Sequence, residues 1–304
     1  MRIAVTGATG HVGRFVVADL LARGHAVKAW ARPASDRSGF AGAIDWIAGG
    51  LDRPGSERAL VAGADALVHA AFQHVAGRYR GGEGDDAAGF MAANRDGSLR
   101  LLDAAAAAGV PRVVFLSSRA VYGSRLWDRP LDEAHPARPD TLYGAYKLEI
   151  EQALAARAAG RAWASLRSTG VFGLRRPLAL SKWFEVVRAS LEGEVPPSRG
   201  GTEVAGADLA RAVRILLEAE PAMVARRVFN VSDVYVTHRA VTRLAGGVLA
   251  PRSGPPTGLM QTDRLQALGW RPQGWAGVRA TVRALAFAVQ RAGRSERQSE
   301  SATK

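Results

Sequence analysis

Cysteine is absent from the 304 residues. That excludes disulfides, thiolate metal sites and cysteine nucleophiles together, and it fits a reducing compartment. Lysine is nearly absent too: of the 41 basic residues only Lys28, Lys147, Lys182 and Lys304 are lysines. No run of 18 apolar residues occurs, and the start, MRIAVTGATG, has no hydrophobic signal core. The expectation is a soluble, cytoplasmic protein with no membrane partner. Acidic residues are the scarcer charge, 28 against 41, which leaves a formal net charge of +13. The arginines are scattered, with no dense basic block and no interleaved aromatics. The excess therefore reads as a compositional habit, and no nucleic-acid partner is expected.

What the chain does have is a core and a rhythm. Hydrophobic residues make up 47% of it, enough for a full interior. RIAVTG, AVKAWAR, IDWIAG, DALVHAA, RVVFLSS and AWASLRS read as short strands. Helical patterns lie between them, among them HVGRFVVADLLARG and FMAANRDGSLRLLDAAAAAG, and LALSKWFEVVRASLEGE reads as a single helix after them. Strands alternating with helices of this length make βαβ units, and their apolar character fits a sheet covered on both faces. The predicted class is α/β: a Rossmann-like, doubly wound parallel sheet with a smaller mixed C-terminal substrate region. Residues 1–173 are assigned to the dinucleotide-binding domain, with 206–232 packing back onto it. Residues 174–205 and 233–293 are assigned to the substrate region, and 294–304 to a polar, disordered tail.

TGATGHVG places Gly7, Gly10 and Gly13 at the first strand-to-helix junction. Glycines there permit a tight turn and close approach to a pyrophosphate, whose charge faces the free N–H groups of His11, Val12 and Gly13 at the helix start. The spacing is G-x-x-G-x-x-G, and about 0.4 such triplets would arise by chance in so glycine-rich a chain, so position carries the signal. At the tip of the second strand an acid would select NAD and a base NADP. AWARPASDR offers Arg32 and no acid at the tip, which favours NADP, although Asp36 is close enough in sequence to fold back.

TLYGAYKLEIE reads as the start of a helix capped by Asp140 or Thr141. Residues four apart share a helical face, so Lys147 meets Tyr143 while Tyr146 points about 100° away. A nearby ammonium favours the phenolate form of tyrosine, whose reference pKa is about 10. Such a phenol can exchange a proton with an alcohol or carbonyl. Ser117 and Ser118 end the fifth predicted strand, on the edge of the sheet where ligands bind in such folds.

These stretches, in order, resemble the extended short-chain dehydrogenase/reductases, also called the NAD-dependent epimerase/dehydratase family. The carriers are TGATGHVG, DALVHAA, NRDGSLRLLDAA, VVFLSSRAVYG, YGAYK, LRSTGVFG, ADLARAV, FNVS and LGWRP, spread over residues 1 to 290. The resemblance implies Tyr143 as acid/base, Lys147 as its charge partner and ribose contact, Ser118 as partner of the substrate oxygen, and Asn94 as the helix asparagine near the site. It also places Leu51, Ala70 and Ala71 along the cofactor groove. The family's GDL pattern reads GGL here, with Gly50 in place of the acid. Members are commonly homodimers.

Within that family the reaction is narrowed by what is missing. The dehydratase Asp–Glu pair is replaced by Arg119 and Ala120, and the cysteine of the 3,5-epimerase/reductases has no counterpart. Nucleotide-sugar 4-epimerases need only the Ser–Tyr–Lys set. They usually carry an asparagine where Gly170 stands, and their late R-x-G-D is echoed only by Arg252 in PRSGP. PDTLYG and SSRAVYG resemble uronate and small-sugar dehydrogenases instead. The leading expectation is hydride transfer to or from a secondary alcohol or ketone of a sugar-like small molecule. A 4-epimerase is the alternative, and a non-catalytic dinucleotide sensor is a third reading. Arg119 is a candidate for a substrate carboxylate. Arg78 and Arg80, in the Gly-rich loop after the fourth strand, are candidates for gripping an anionic substrate, as a lid would. His69 and His74 lack metal-ligand spacing and are read as structural.

Overall fold

The computed structural model describes residues 1–75, 82–124 and 130–302. In chain order it begins with β1 (Arg2–Thr6), α1 (His11–Ala22), β2 (Ala26–Ala31), β3 (Ile44–Ala48), α2 (Ser56–Val61) and β4 (Ala66–His69). Then come α3 (Ala87–Met91), a π-helical turn (Ala92–Asp96), α4 (Gly97–Ala107), β5 (Arg112–Ser118), a 3-10 turn (Arg119–Tyr122), α5 (Leu142–Arg157) and β6 (Ala162–Ser168). The last third holds β7 (Gly170–Phe172), α6 (Phe184–Leu191), β8 (Gly200–Ala205), α7 (Gly206–Glu218), α8 (Pro221–Val224) and β9 (Val228–Val231). It closes with β10 (Val234–Thr237), α9 (His238–Ala245), α10 (Asp263–Gln266) and α11 (Trp275–Ala302), and no proline interrupts that final helix.

Seven strands form one sheet in the order β3-β2-β1-β4-β5-β6-β9, and every pairing in it is parallel. This is the doubly wound sheet that the sequence predicts. Its central strands have no exposed face: Ile3, Ala4, Val5, Leu67 and Val68 are wholly buried. Chain order reverses between β1 and β4, so the carboxyl ends of these two neighbours open a crevice where a ligand can lie. Among the described residues no helix is long and apolar enough to cross a membrane.

The chain divides into two compact units. The first comprises residues 1–169, 206–231 and 260–271, the second 170–205, 232–259 and 272–304. The second unit has its own three-stranded mixed sheet, β10-β8-β7. Its core gathers Phe172, Trp183, Val187, Val236, Val241, Val278, Val282 and Leu285.

Three local departures from the sequence reading have identifiable causes. The single helix expected from Phe90 to Gly109 contains a π-helical turn centred on Asn94. The single helix expected over LALSKWFEVVRASLEGE breaks, because Trp183 adopts a left-handed backbone (φ 72°) and stacks on Phe172 at 4.9 Å. Strands β7, β8 and β10 are three to six residues long, too short for a period-2 pattern to register, and β8 opens on two glycines.

In the first unit, Gly206 begins α7 with no room for a side chain, since a Cβ there would lie 2.3 Å from the Phe15 ring on α1. Gly206→Ala should destabilise the protein by about 1–3 kcal/mol through overpacking, as a fall in the urea midpoint at constant m-value.

Candidate active site

The crevice is built first by what the backbone leaves out. Gly7 has φ 71°, and a Cβ on it would lie 2.7 Å from the Ala70 carbonyl and the Ala71 nitrogen. A Cβ on Gly13 would lie 2.0 Å from the Gly7 oxygen. Gly10 stands before α1 with no side-chain cap, so the helix presents bare N–H groups at its start. A groove runs from this loop past Trp30 and Arg32 at the β2 tip, Gly49 to Asp52, and Ala70 to His74. Its lining includes Gly7, Gly10, His11, Val12, Gly13, Arg32, Leu51, Ala70 and Ala71, but neither Tyr143 nor Lys147, both also expected at the cofactor. Arg32 is exposed. Asp36 does not fold back to the tip, for Arg14 holds its carboxylate at 2.9 Å and Ser38 bonds its other oxygen. The glycine cradle and the bare helix start together fit a nicotinamide dinucleotide.

The ends of β1 and β4 are tied beneath this groove by a hydrogen-bond chain. Thr6 Oγ1 accepts the N–H groups of Ala70 and Ala71, each at 3.1 Å. Its own hydroxyl is therefore directed at His69 Nδ1, 2.8 Å away. His69 Nε2–H then donates to Ser98 Oγ at 2.8 Å, and Ser98 donates to the Asn94 carbonyl at 2.5 Å. The first step, donation to Nδ1, requires a neutral imidazole. Burial pushes the His69 pKa down to about 3, helped by the charge of Lys147. Among the described residues no cluster of His, Asp or Glu could hold a metal ion.

Thr141 caps α5 by accepting from the Gly144 N–H at 3.1 Å. Gly144, directly after Tyr143, lets the helix touch the turn that follows β5: a Cβ would lie 2.5 Å from the Ala120 oxygen. This contact brings Tyr143 to the strand end that carries Ser118. Ser118 itself accepts the Ala120 N–H at 3.1 Å and so starts that turn. Lys147 is buried, and among the described residues its one hydrogen bond runs from Nζ to the Leu116 carbonyl at 2.7 Å. Four rings surround the ammonium, with centroids at 4.7 Å (Phe115), 5.1 Å (Tyr146), 5.6 Å (Phe72) and 5.7 Å (Tyr143). Desolvation pulls the Lys147 pKa down to about 7, against the opposing pull of Glu151. The helical-face argument assigned Lys147 to Tyr143 alone, but the flexible stem lays the ammonium against both tyrosine rings. Tyr146 is wholly buried, which raises its pKa, and its hydroxyl lies 3.5 Å from Ser98.

Asn94 is wholly buried, its Oδ1 accepting the Gln73 N–H and its Nδ2 donating to the carbonyls of Gln73 and Phe90, all within 2.9 Å. The π-helical turn aims this amide at the segment after β4, so Asn94 clamps that segment and has no donor left for a reacting group. Arg119 is half-buried at the β5 turn. Arg78 and Arg80 lie outside the described residues. Arg252 is exposed in a loop of the second unit, its carbonyl accepting from Ser198. At Gly170, where the epimerase pattern carries asparagine, the space a Cβ would take is filled by the Lys182–Glu203 ion pair.

Two groups escaped the sequence reading. Phe72 lines the groove and also packs on Tyr143, ring centroids 4.8 Å apart. Behind Lys147, Glu151 takes a bond from Ser117 Oγ at 2.5 Å and a forked pair from Arg167 at 2.6 and 2.9 Å. Phe72 follows DALVHAA without a motif of its own, so nothing marked it. Glu151 is legible in hindsight, since Tyr143, Lys147 and Glu151 repeat every four residues.

Comparison with known proteins adds to this geometry. The model of the "NAD dependent epimerase/dehydratase family" matches residues 3–232. A UDP-glucose 4-epimerase of Corynebacterium glutamicum is 29% identical over 306 aligned residues, covering 90% of this chain and 91% of that protein. The crystal structure of the Thermus thermophilus UDP-glucose 4-epimerase in complex with NAD superposes with a TM-score of 0.77 at 24% identity, over 94% of this chain and 99% of that one. The Thermotoga maritima UDP-glucose 4-epimerase with UDP-glucose gives 0.79 at 22% identity, over 95% of this chain and 100% of that one. At such identities the structural likeness speaks for the fold.

The His69 chain has a pH consequence. Its folded pKa of about 3 lies below the unfolded value of about 6.5, so the unfolded state binds more protons between them. The stabilising contribution is complete above pH 6.5 and is lost as pH falls toward 3, on the order of a few kcal/mol in all. A ¹⁵N NMR titration should find His69 neutral, with the proton on Nε2, down to pH 5. An imidazolium signature there would contradict the chain.

Proposed function

This chain belongs to the NAD dependent epimerase/dehydratase family, and from that premise we propose that it epimerises a nucleotide sugar at C4. It is an enzyme of the extended short-chain dehydrogenase/reductase type, and UDP-glucose 4-epimerases are among its relatives. One observation carries the choice of reaction: the likeness to the Corynebacterium epimerase runs nearly end to end, around a site with Ser118, Tyr143 and Lys147 and no dehydratase Asp–Glu pair. This favours the 4-epimerase over a uronate or small-sugar dehydrogenase.

In this reading Tyr143 Oη takes the proton from the C4 hydroxyl and returns it to the ketone oxygen. Lys147 favours the phenolate by its charge and keeps two N–H groups for the cofactor ribose. Ser118 Oγ holds the substrate oxygen. Phe72 closes the groove beside Tyr143 and excludes water. A bound nicotinamide dinucleotide supplies hydride acceptance and return, held by Gly7, Gly10, Gly13, Leu51, Ala70, Ala71 and Arg32. Arg32 at the strand tip, with Asp36 held away by Arg14, favours NADP over NAD.

Tyr143→Phe should lower kcat by about 100-fold or more with dinucleotide affinity retained. Wild-type protein given UDP-sugars should yield the C4 epimer with no lasting change in absorbance at 340 nm. Net reduction of added cofactor by sugars or uronates would replace the epimerase with a dehydrogenase. Full activity of Tyr143→Phe would remove the assignment altogether. Arg32→Ala should weaken NADP binding by about tenfold and leave NAD binding nearly unchanged. Equal losses for both would end the NADP preference.

A further inference from the structure

The Tyr143–Lys147 pair explains how a proton moves, but it leaves a buried ammonium to be kept charged. The sequence continues the four-residue repeat to Glu151, whose side chain is 3% exposed. Three successive residues at the end of β5 are each engaged. The Leu116 carbonyl accepts from Lys147, Ser117 donates to Glu151, and Ser118 begins the turn beside Tyr143. On the other side, Arg167 of β6 forks onto the same carboxylate and lays its guanidinium over the Tyr122 ring at 4.7 Å.

We propose that Glu151 is a positioning residue for proton transfer: braced between β5 and β6, its carboxylate keeps the Lys147 ammonium charged and in register with Ser118 and Tyr143. The inference rests on the reading of Tyr143 and Lys147 as the proton-transfer pair.

The charges facing Lys147 leave this task to Glu151. On its own helix lie Tyr143 and Tyr146, and burial keeps Tyr146 neutral. From β4 comes His69, also neutral. From β5 come the Phe115 ring and the Leu116 carbonyl. From β6 comes Arg167, whose charge is matched by Glu151 itself. Burial lowers the Lys147 pKa to about 7 and Glu151 is the charge that opposes it. A strut between strands and helix would not need to be ionic, since a buried pair is seldom worth more than well-packed apolar residues. Removing one partner alone leaves the other charge uncompensated.

The test uses the scarcity of lysine. Four lysines give four ¹³Cε signals in protein labelled at lysine, and Lys147→Met assigns the one that matters. Glu151→Gln should lower the Lys147 midpoint by about one unit or more. It should also move the alkaline limb of kcat/KM down by the same interval, so activity lost at pH 8 returns at pH 6. A merely structural role would lower activity at every pH and leave the midpoint in place, and either result overturns the proposal. If Glu151→Gln does not fold, Glu151→Gln with Arg167→Met removes both charges. The midpoint should fall in this variant too, and an unchanged value overturns the proposal equally. The titration is read without turnover. A wild-type protein inert toward every sugar would sink the epimerase reading and still report on Glu151.

Discussion

An ammonium ion held away from water is the constraint around which the site is arranged. Lys147 is 3% exposed, and isolated charges are not buried at that depth without compensation. Compensation comes in layers. One carbonyl takes a hydrogen bond, four ring faces supply their negative quadrupoles, and a carboxylate one helical turn further supplies charge. Each layer dictates a neighbour: Phe72 and Phe115 must be aromatic, β5 must end beside α5, and Arg167 must answer Glu151. Tyr143 stands one turn before the lysine on the same helix, its ring 5.7 Å from the ammonium.

The second constraint is backbone approach. The ends of β1 and β4 come so close that Gly7 could carry no side chain against Ala70 and Ala71. Thr6 fastens both amides of that pair, and His69 passes the connection on to Ser98 and Asn94. Asn94 in turn grips the segment that places Phe72 in the groove. The Gly7 loop and the segment carrying Phe72 are thus joined by one polar network. Such a network is rigid because a half-satisfied version of it would be costlier than none.

The sheet was legible in the sequence because parallel strands buried on both faces leave uninterrupted apolar runs, and Tyr143 with Lys147 because helical spacing is local. The groove at the ends of β1, β2 and β4 was legible because its position follows from where strands end. Asn94 was placed at the right depth but given a role at the reaction centre. Its amide direction depends on a π-helical turn, which no three- or four-residue period announces. The second unit was the least readable. Its strands are short, and Trp183 breaks a helix with a left-handed backbone tolerated only because the ring stacks on Phe172. Phe72 could not be found from sequence, since its importance lies in what folds over it.

The charge of the chain shows why position counts for more than total. Many arginines serve the backbone: Arg161 donates to carbonyls at the ends of α4 and α5, Arg112 to Ala219 after α7, Arg211 to Arg271 and Arg264 to Val228. Others are matched by acids, as Arg14 is by Asp36 and Arg100 by Glu57. An arginine used in this way stabilises helix ends and loops, so a formal charge of +13 need not describe a binding surface. Arg32 differs from these. It is exposed and lines the groove, while the nearby carboxylate of Asp36 is held by Arg14.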